Sequence, residues 1–283
     1  MPNKAIALGL ATHPGPSIAV TAVFVAFGFG VGLDGGRLAL LGLAVLFQQA
    51  SVGLSNDWLD AERDLVTGRK DKPVALGWVS ARAARNAAFA AAAIAMILTA
   101  PLGTLAMITH GIFLVSAWSY NVGLKSTPLS VLPYVVSFGL LPLIVTLSLP
   151  TPALTPWWAM TIGALLGVAA HFANVLPDLE DDHRTGVRGL PHRLGVRSSG
   201  LVICLALAAT AILAVVGPGT PPSIARWIEF AVTLAIAAAV GFLVLTRPPR
   251  RILFRLIIVA ALLSVLLLVS AGQDALVMPL PAG

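Results

Sequence analysis

The stretch Asn56-Asp57-Trp58-Leu59-Asp60-Ala61-Glu62-Arg63-Asp64 places three aspartates at i, i+3 and i+7. At 100° per residue these carboxylates fall within about 60° of one another on a helix, while Glu62 turns away. Like charges on one face repel, and a cation relieves the repulsion; an all-oxygen ligand set selects Mg²⁺ or Ca²⁺ over zinc. A solvated acidic helix end would show the same residues, so this cluster alone decides nothing. A second cluster changes the weighing. Asp178, Asp181 and Asp182 stand at i, i+3 and i+4, directly after Asn174 and Pro177. Two carboxylate faces at one level point to two metal sites opposed across a cavity, one from Asp57, Asp60 and Asp64, the other from among Asp178, Asp181 and Asp182.

Mg²⁺ keeps waters and binds through few carboxylates plus substrate phosphates, so the pattern predicts a ligand carrying a diphosphate. Basic residues suit the same ligand. Arg69, Lys70 and Lys72 follow the first cluster, and Lys125 stands alone just after Tyr120-Asn121. Anchoring at a membrane surface accounts for most of the arginines and for Lys70. Arg69, Lys72 and Lys125 are expected to contact phosphate oxygens.

The elements that position these residues are apolar. The 283 residues are 58% hydrophobic and 11% charged, with a mean hydropathy of +0.92. Soluble domains carry roughly 25% charged residues, so a soluble enzyme, a nucleic-acid module and a disordered scaffold are all excluded. The net charge of +6 belongs to short loops, not to a nucleic-acid-binding face. The single cysteine, Cys204, lies within an apolar run and forms neither an intrachain disulfide nor a multi-cysteine metal site. Residues 1–16 read as a surface-lying lead-in to the first span.

Apolar runs long enough to cross about 30 Å of hydrocarbon begin at Ser17, Leu38, Asn86, Thr104, Pro128, Pro156, Ser198, Ile224 and Ile252. The third and fourth are divided only by Pro101 and Gly103. The expectation is an all-α bundle of nine transmembrane helices around a central cavity, one domain over residues 1–283. With nine spans, 16 of the 18 basic residues fall on one side, and only Arg37 and Arg226 on the other. The positive-inside rule then puts the N-terminus and both aspartate clusters in the cytoplasm. Nine of the twelve acidic residues share two of those cytoplasmic loops, which topology does not explain.

These residues resemble the UbiA superfamily of intramembrane prenyltransferases. Asn56 to Asp64 matches its NDxxDxxxD motif and Asp178 to Asp182, DLEDD, its DxxxD motif. RKDKP at 69–73, with Gly77 and Ser80, is similar to the stretch after the first motif, Lys72 standing where arginine is usual. YNVGLK at 120–125 is similar to the family's tyrosine and lysine after span four. GVRGLPHRLG at 186–195 matches a further stretch, with Gly189 in place of threonine. The resemblance covers nearly the whole chain. It implies Mg²⁺ as cofactor, a polyprenyl diphosphate donor, and a lipophilic, often aromatic, acceptor alkylated by the carbocation left when diphosphate departs. It implies catalytic roles for Lys125, Tyr120 and Arg69, and substrate contacts from Asn56, Lys72, Asn121 and Asn174. The expected location is a bacterial plasma membrane, with no nucleic-acid partner.

Two other classes fit the residues less well. A transporter places ionisable residues near the bilayer midplane, and no Asp, Glu, Lys or Arg sits at the centre of a run. A phospho-alcohol transferase uses a single dense aspartate-glycine motif, unlike these two distant clusters. His110 and His171 read as helix-packing residues, one of Gln48 and Gln49 is expected to face the cavity, and Trp157 and Trp158 fit an interfacial belt. His13 lies near a position where several aromatic-acceptor members of the resembled family carry a basic residue, but it matches no motif and receives no role.

Overall fold

The computed structural model describes residues 2–270 and 275–280, the side chains of 266–270 excepted. Two short helices open the chain, α1 (Lys4–Ala11) and α2 (Pro14–Gly30), meeting at 58°. The bend is at His13, whose φ of +54° is the one positive value outside glycine among the described residues. Pro14 and Pro16 then start α2, where a missing N–H costs nothing. A Cβ on Gly53 would lie 2.4 Å from the Thr12 carbonyl oxygen, so only glycine lets the next helix reach the bend.

That helix, α3 (Gly35–Leu59), is capped by the Asp34 side chain on the Arg37 N–H at 3.0 Å. It passes into α4 (Ala61–Val66) through Asp60, whose carbonyl still accepts from the Asp64 N–H at 2.8 Å. α5 (Ala81–Thr99) buries Ala84, Ala88, Ala91 and Ala95, a small-residue stripe that seats it on α3. A 3₁₀ turn (Ala100–Leu102) and Gly103, at φ +126°, separate it from α6 (Thr104–Val122), the divide expected from Pro101 and Gly103. Then come α7 (Leu132–Leu147), α8 (Trp157–Val175) and the short α9 (Leu179–Arg184). α10 (Leu190–Val216) kinks at Gly195, φ +76°, before α11 (Ile224–Thr246) and α12 (Ile252–Ser270). The only strands among the described residues, β1 (Ala153–Leu154) and β2 (Met278–Pro279), form a two-residue antiparallel pair.

Six helices are long and apolar enough to cross a membrane, or seven if the bent α1–α2 pair forms one span. This is fewer than the nine expected. Each of the nine runs does fall on a helix, but α7 has only 16 residues, and the apolar stretch Ile252–Val265 of α12 is also short. Turns around Thr127–Val131 and the Ser148–Pro152 segment take up residues that hydropathy alone assigns to the fifth span. Cys204, within α10, is half-buried, its Sγ donating to the Ala237 carbonyl at 3.2 Å.

The packing has a simple plan. α2, α3, α6, α7, α8 and α12 contact one another in that order, and α12 returns to α2, so six helices close a ring. α5 lies outside on α3, and α10 and α11 lie outside on α8 and α12. Small residues set the ring's diameter where α7 meets α8. A Cβ on Gly163 would sit 2.3 Å from the Phe138 carbonyl oxygen, and one on Gly167 2.5 Å from that of Tyr134. Gly167→Ala is therefore expected to lower stability by about 1–3 kcal/mol through overpacking. Gly9→Ala, whose Cβ meets nothing within 4 Å, serves as control. Thermal unfolding of both variants in detergent checks this, and equal midpoints would remove the close-approach argument.

Candidate active site

The ring encloses a cavity of about 270 Å³, and each of its six helices contributes to the lining. The inner wall is apolar, with Val20, Phe113, Ala117, Phe138 and Phe254; the mouth is ionic, with Asp60, Arg63, Arg69, Lys72, Lys125, Asp178 and Asp182. An apolar chamber beneath a charged mouth suits an amphipathic ligand.

The first aspartate cluster is the most deeply placed. Asp57, Asp60 and Asp64 are each at most 4% exposed, while Glu62 is exposed. Buried carboxylates need partners, and the surrounding chain provides them. Lys72, itself buried, donates to Asn56 Oδ1 at 2.7 Å and Asp57 Oδ1 at 2.8 Å, with Asp64 Oδ2 3.8 Å away. Asp60 takes the Lys125 ammonium on Oδ1, while Arg63 at 2.9 Å and the Asn56 amide at 2.8 Å share Oδ2. Asp57 Oδ2 and Asp64 Oδ2 remain buried without a partner. Burial pushes the Asp64 carboxyl above its usual range against the opposing pull of Lys72. Burial likewise lowers Lys125, with Asp60 holding it up.

The second cluster faces the first across the mouth. Asp178 ends a 3₁₀ turn and Asp182 lies in α9. Arg63 spans the gap, its Nη1 3.8 Å from Asp182 Oδ1, and His192 approaches Asp182 Oδ2 at 3.2 Å. Arg69 grips Asp71 through two bonds of 2.8 and 2.9 Å and comes within 3.4 Å of Asp178. That two-pronged bond lowers Asp71 and raises Arg69 from their ordinary pKa values. Arg251, at the start of α12, lies 3.6 Å from Asp178 and 3.8 Å from Asp71.

A UbiA prenyltransferase family model matches residues 17–253. The chain belongs to the UbiA prenyltransferase family. Among curated protein sequences none matches it. Among solved structures, a UbiA homologue from Archaeoglobus fulgidus bound to GPP and Mg²⁺ is similar at a TM-score of 0.73 and 16% identity, over 93% of this chain and 99% of that one. An apo UbiA homologue from Aeropyrum pernix K1 gives 0.70 and 18%, over 87% and 94%. A digeranylgeranylglyceryl phosphate synthase gives 0.67 and 15%, over 93% and 99%. At such identities the likeness is one of fold.

Of the residues expected in the site of this UbiA family member, Asn56, Asp60, Arg69, Lys72, Tyr120, Asn121, Lys125, Asn174, Asp178 and Asp182 line the cavity. Asp57 and Asp64 do not; they stand behind the wall, against Lys72. Asn121 is buried and braces α6 on α3, its amide donating to the Val52 carbonyl at 2.9 Å and Ser55 Oγ at 2.8 Å. Gln49, not Gln48, faces the cavity. His110 and His171 are packing residues, bonded to Thr99 Oγ1 at 2.7 Å and to Ser130 Oγ at 3.1 Å. The glycine at 189 also has a reason: a Cβ there would sit 2.5 Å from the Lys125 carbonyl oxygen and 2.9 Å from Ser130 Oγ.

Among the lining residues that the sequence reading passed over are His13, Arg63 and Arg251. His13 Nε2 lies 2.7 Å from Asp57 Oδ1 and 3.2 Å from Lys72 Nζ, delivered by the α1–α2 bend. Arg63 and Arg251, assigned to membrane anchoring, instead bridge carboxylates at the mouth. No motif marks His13 or Arg251, and the signal for Arg63 was only its place inside the first aspartate motif.

Removing Lys72 leaves Asp57 and Asp64 buried with less compensation. In the absence of divalent cations Lys72→Gln is expected to cost about 3–5 kcal/mol, the usual penalty for orphaning a buried charge. The double variant Lys72→Gln/Asp57→Asn should recover a good part of that loss. Unfolding measurements on the two singles and the double check the coupling; additive losses would show that the pair is not one unit.

Proposed function

We propose that this chain transfers a prenyl group from a polyprenyl diphosphate, held at the charged mouth, to a lipophilic or aromatic acceptor inside the apolar cavity. The observation that carries the reading is the convergence of both aspartate clusters with Arg69, Lys72 and Lys125 on one end of a closed apolar chamber. Membership in the UbiA family, and the fold shared with a homologue solved with GPP and Mg²⁺, support it.

The residues suit Mg²⁺ in chemistry, because Asp57 Oδ2 and Asp64 Oδ2 are hard oxygen donors buried without a partner. Asp57, Asp60 and Asp64 would hold one ion and Asp178 with Asp182 the other. Mg²⁺ held by these carboxylates would offset negative charge on the diphosphate oxygens. The side chains do the rest. Lys125 and Arg69 donate charge-assisted hydrogen bonds to the departing diphosphate, Arg69 by turning from Asp71 and Asp178. Lys72 and Asn56, already bonded to each other, orient it from the opposite wall. Asn174, whose amide reaches the Tyr134 hydroxyl at 3.5 Å, and Tyr120, edge-on to Tyr134 at 5.3 Å, fix the polar edge of the chamber. The ring helices keep water from the carbocation. Asn121 acts by holding α6 and α3 at their spacing.

The bundle crosses the membrane nine times in this reading, with the short α7 and α12 among the spans and both aspartate clusters cytoplasmic. The separation of basic residues supports it. Cysteines introduced at Thr67 and Thr185 are expected to react with an impermeant maleimide from the same side; labelling from opposite sides refutes the topology.

Incubation of membranes with labelled prenyl diphosphates, with products identified by mass spectrometry, tests the activity. Transfer should stop with excess EDTA and return with Mg²⁺. Lys125→Gln should lose about 2–4 kcal/mol of transition-state stabilisation, or roughly 30-fold to 1,000-fold in rate, with Lys125→Arg retaining part. A correctly inserted Lys125→Gln within threefold of the parent would make Lys125 an anchor.

A further inference from the structure

His192, on the first turn of α10, lines the cavity with a side chain only 6% exposed. Its Nε2 lies 3.2 Å from Asp182 Oδ2. An ionised carboxylate can only accept, so the imidazole donates through Nε2–H. The other oxygen of Asp182, Oδ1, is left toward the first cluster, where Arg63 Nη1 stands 3.8 Å away. One carboxylate oxygen is thus occupied by the protein and the other is turned to the mouth.

The backbone of Asp182 is tied to the same segment. Its carbonyl accepts from the N–H groups of Thr185 and Val187 at 3.2 and 3.0 Å, which binds the α9–α10 turn to α9. The start of α10 is pinned as well. The Leu190 N–H donates to the buried Ser130 hydroxyl at 2.9 Å, and His171 Nε2 lies 3.1 Å from that oxygen. Gly189 lets the helix start close on the Lys125 carbonyl, and the buried Pro191 begins the helix where a missing N–H costs nothing. His192 is therefore carried by a fixed helix end.

The other acids of the second cluster are placed differently. Asp181 does not line the cavity. Asp178 does, but it meets the Arg69 and Arg251 guanidinium groups at 3.4 and 3.6 Å, and both of those side chains also serve Asp71. Arg251 is 56% exposed and free to swing, which the buried imidazole is not. A hydrogen bond from a seated group to a metal-binding carboxylate fixes that carboxylate before the ion arrives, and its loss typically weakens metal binding about 10-fold to 100-fold.

We propose that His192 is a positioning residue for the second Mg²⁺ site: by occupying Asp182 Oδ2 it commits Oδ1 to the ion. The role rests on the function proposed above, and it makes metal affinity the quantity that depends on His192.

The test uses the full-length protein in detergent with inorganic diphosphate, and reads the rise in thermal midpoint as Mg²⁺ is increased at constant ionic strength. Each variant is referred to its own midpoint without Mg²⁺, so a general loss of stability does not count. His192→Leu should need about tenfold more Mg²⁺ than the parent for half of the rise. His192→Gln, whose amide nitrogen reaches as far as Nε2, should stay within about threefold of the parent, whereas His192→Asn, equally polar but one methylene shorter, should behave like His192→Leu. The Mg²⁺ requirement of prenyl transfer should shift in the same order. Leu and Asn variants that match the parent overturn the role, as does a loss that His192→Gln shares, because shape and not the hydrogen bond would then matter. A parent whose midpoint and transfer both ignore Mg²⁺ overturns the proposed function and this role with it.

Discussion

Three carboxylates buried at the end of an apolar ring must be neutralised, and that requirement organises the charged half of this protein. Asp57, Asp60 and Asp64 draw in Lys72 from the loop after α4, Lys125 from the turn after α6, and Arg63 from within their own motif. His13 arrives through a strained bend that only Gly53 permits α3 to approach. Each contact fixes a different element, so the ion network also positions the chain. In the proposed function these basic groups meet the diphosphate already desolvated and held by the carboxylates, which would reduce the ordering that binding has to impose.

The apolar half obeys a different rule. Inside a bilayer there is no hydrophobic force between helices, so contact depends on close backbone approach. The alanine stripe of α5 and the paired glycines of α8 supply it. Because those glycines face the Tyr134 and Phe138 carbonyls, the residues that set helix spacing also set the width of the chamber.

Much of this was legible in the sequence because its signals are local. The helices, the Pro101–Gly103 break and both aspartate clusters follow from run length, turn chemistry and spacing. What escaped depends on approach between distant segments. His13 belongs to the site only because α1 and α2 meet at 58°. Arg63 and Arg251 looked like anchors because the membrane surface and the site mouth occupy the same end of the bundle, where one arginine serves either role. Asp57 and Asp64 stand behind the wall because Lys72 folds back over them. Gly189, a departure from the family pattern, is explained by a contact with Lys125 more than sixty residues earlier. Run length set the start of the fifth span too early, because Pro128–Val131 form a turn before α7. His192 was passed over because no spacing rule ties it to an aspartate ten residues earlier; the α9–α10 turn brings them together.

Among the ring helices, α2 is made first and α12 last, and the ring closes where these two meet. During vectorial synthesis the other five walls can be in place while one side of the chamber still lies open to lipid. The polar mouth gains Arg251 only when α12 docks, and so does the apolar wall its Phe254. Closure of the chamber thus waits for the last ring helix and joins the two ends of the sequence. A nascent chain halted before α12 would present its acidic cluster beside an unsealed seam.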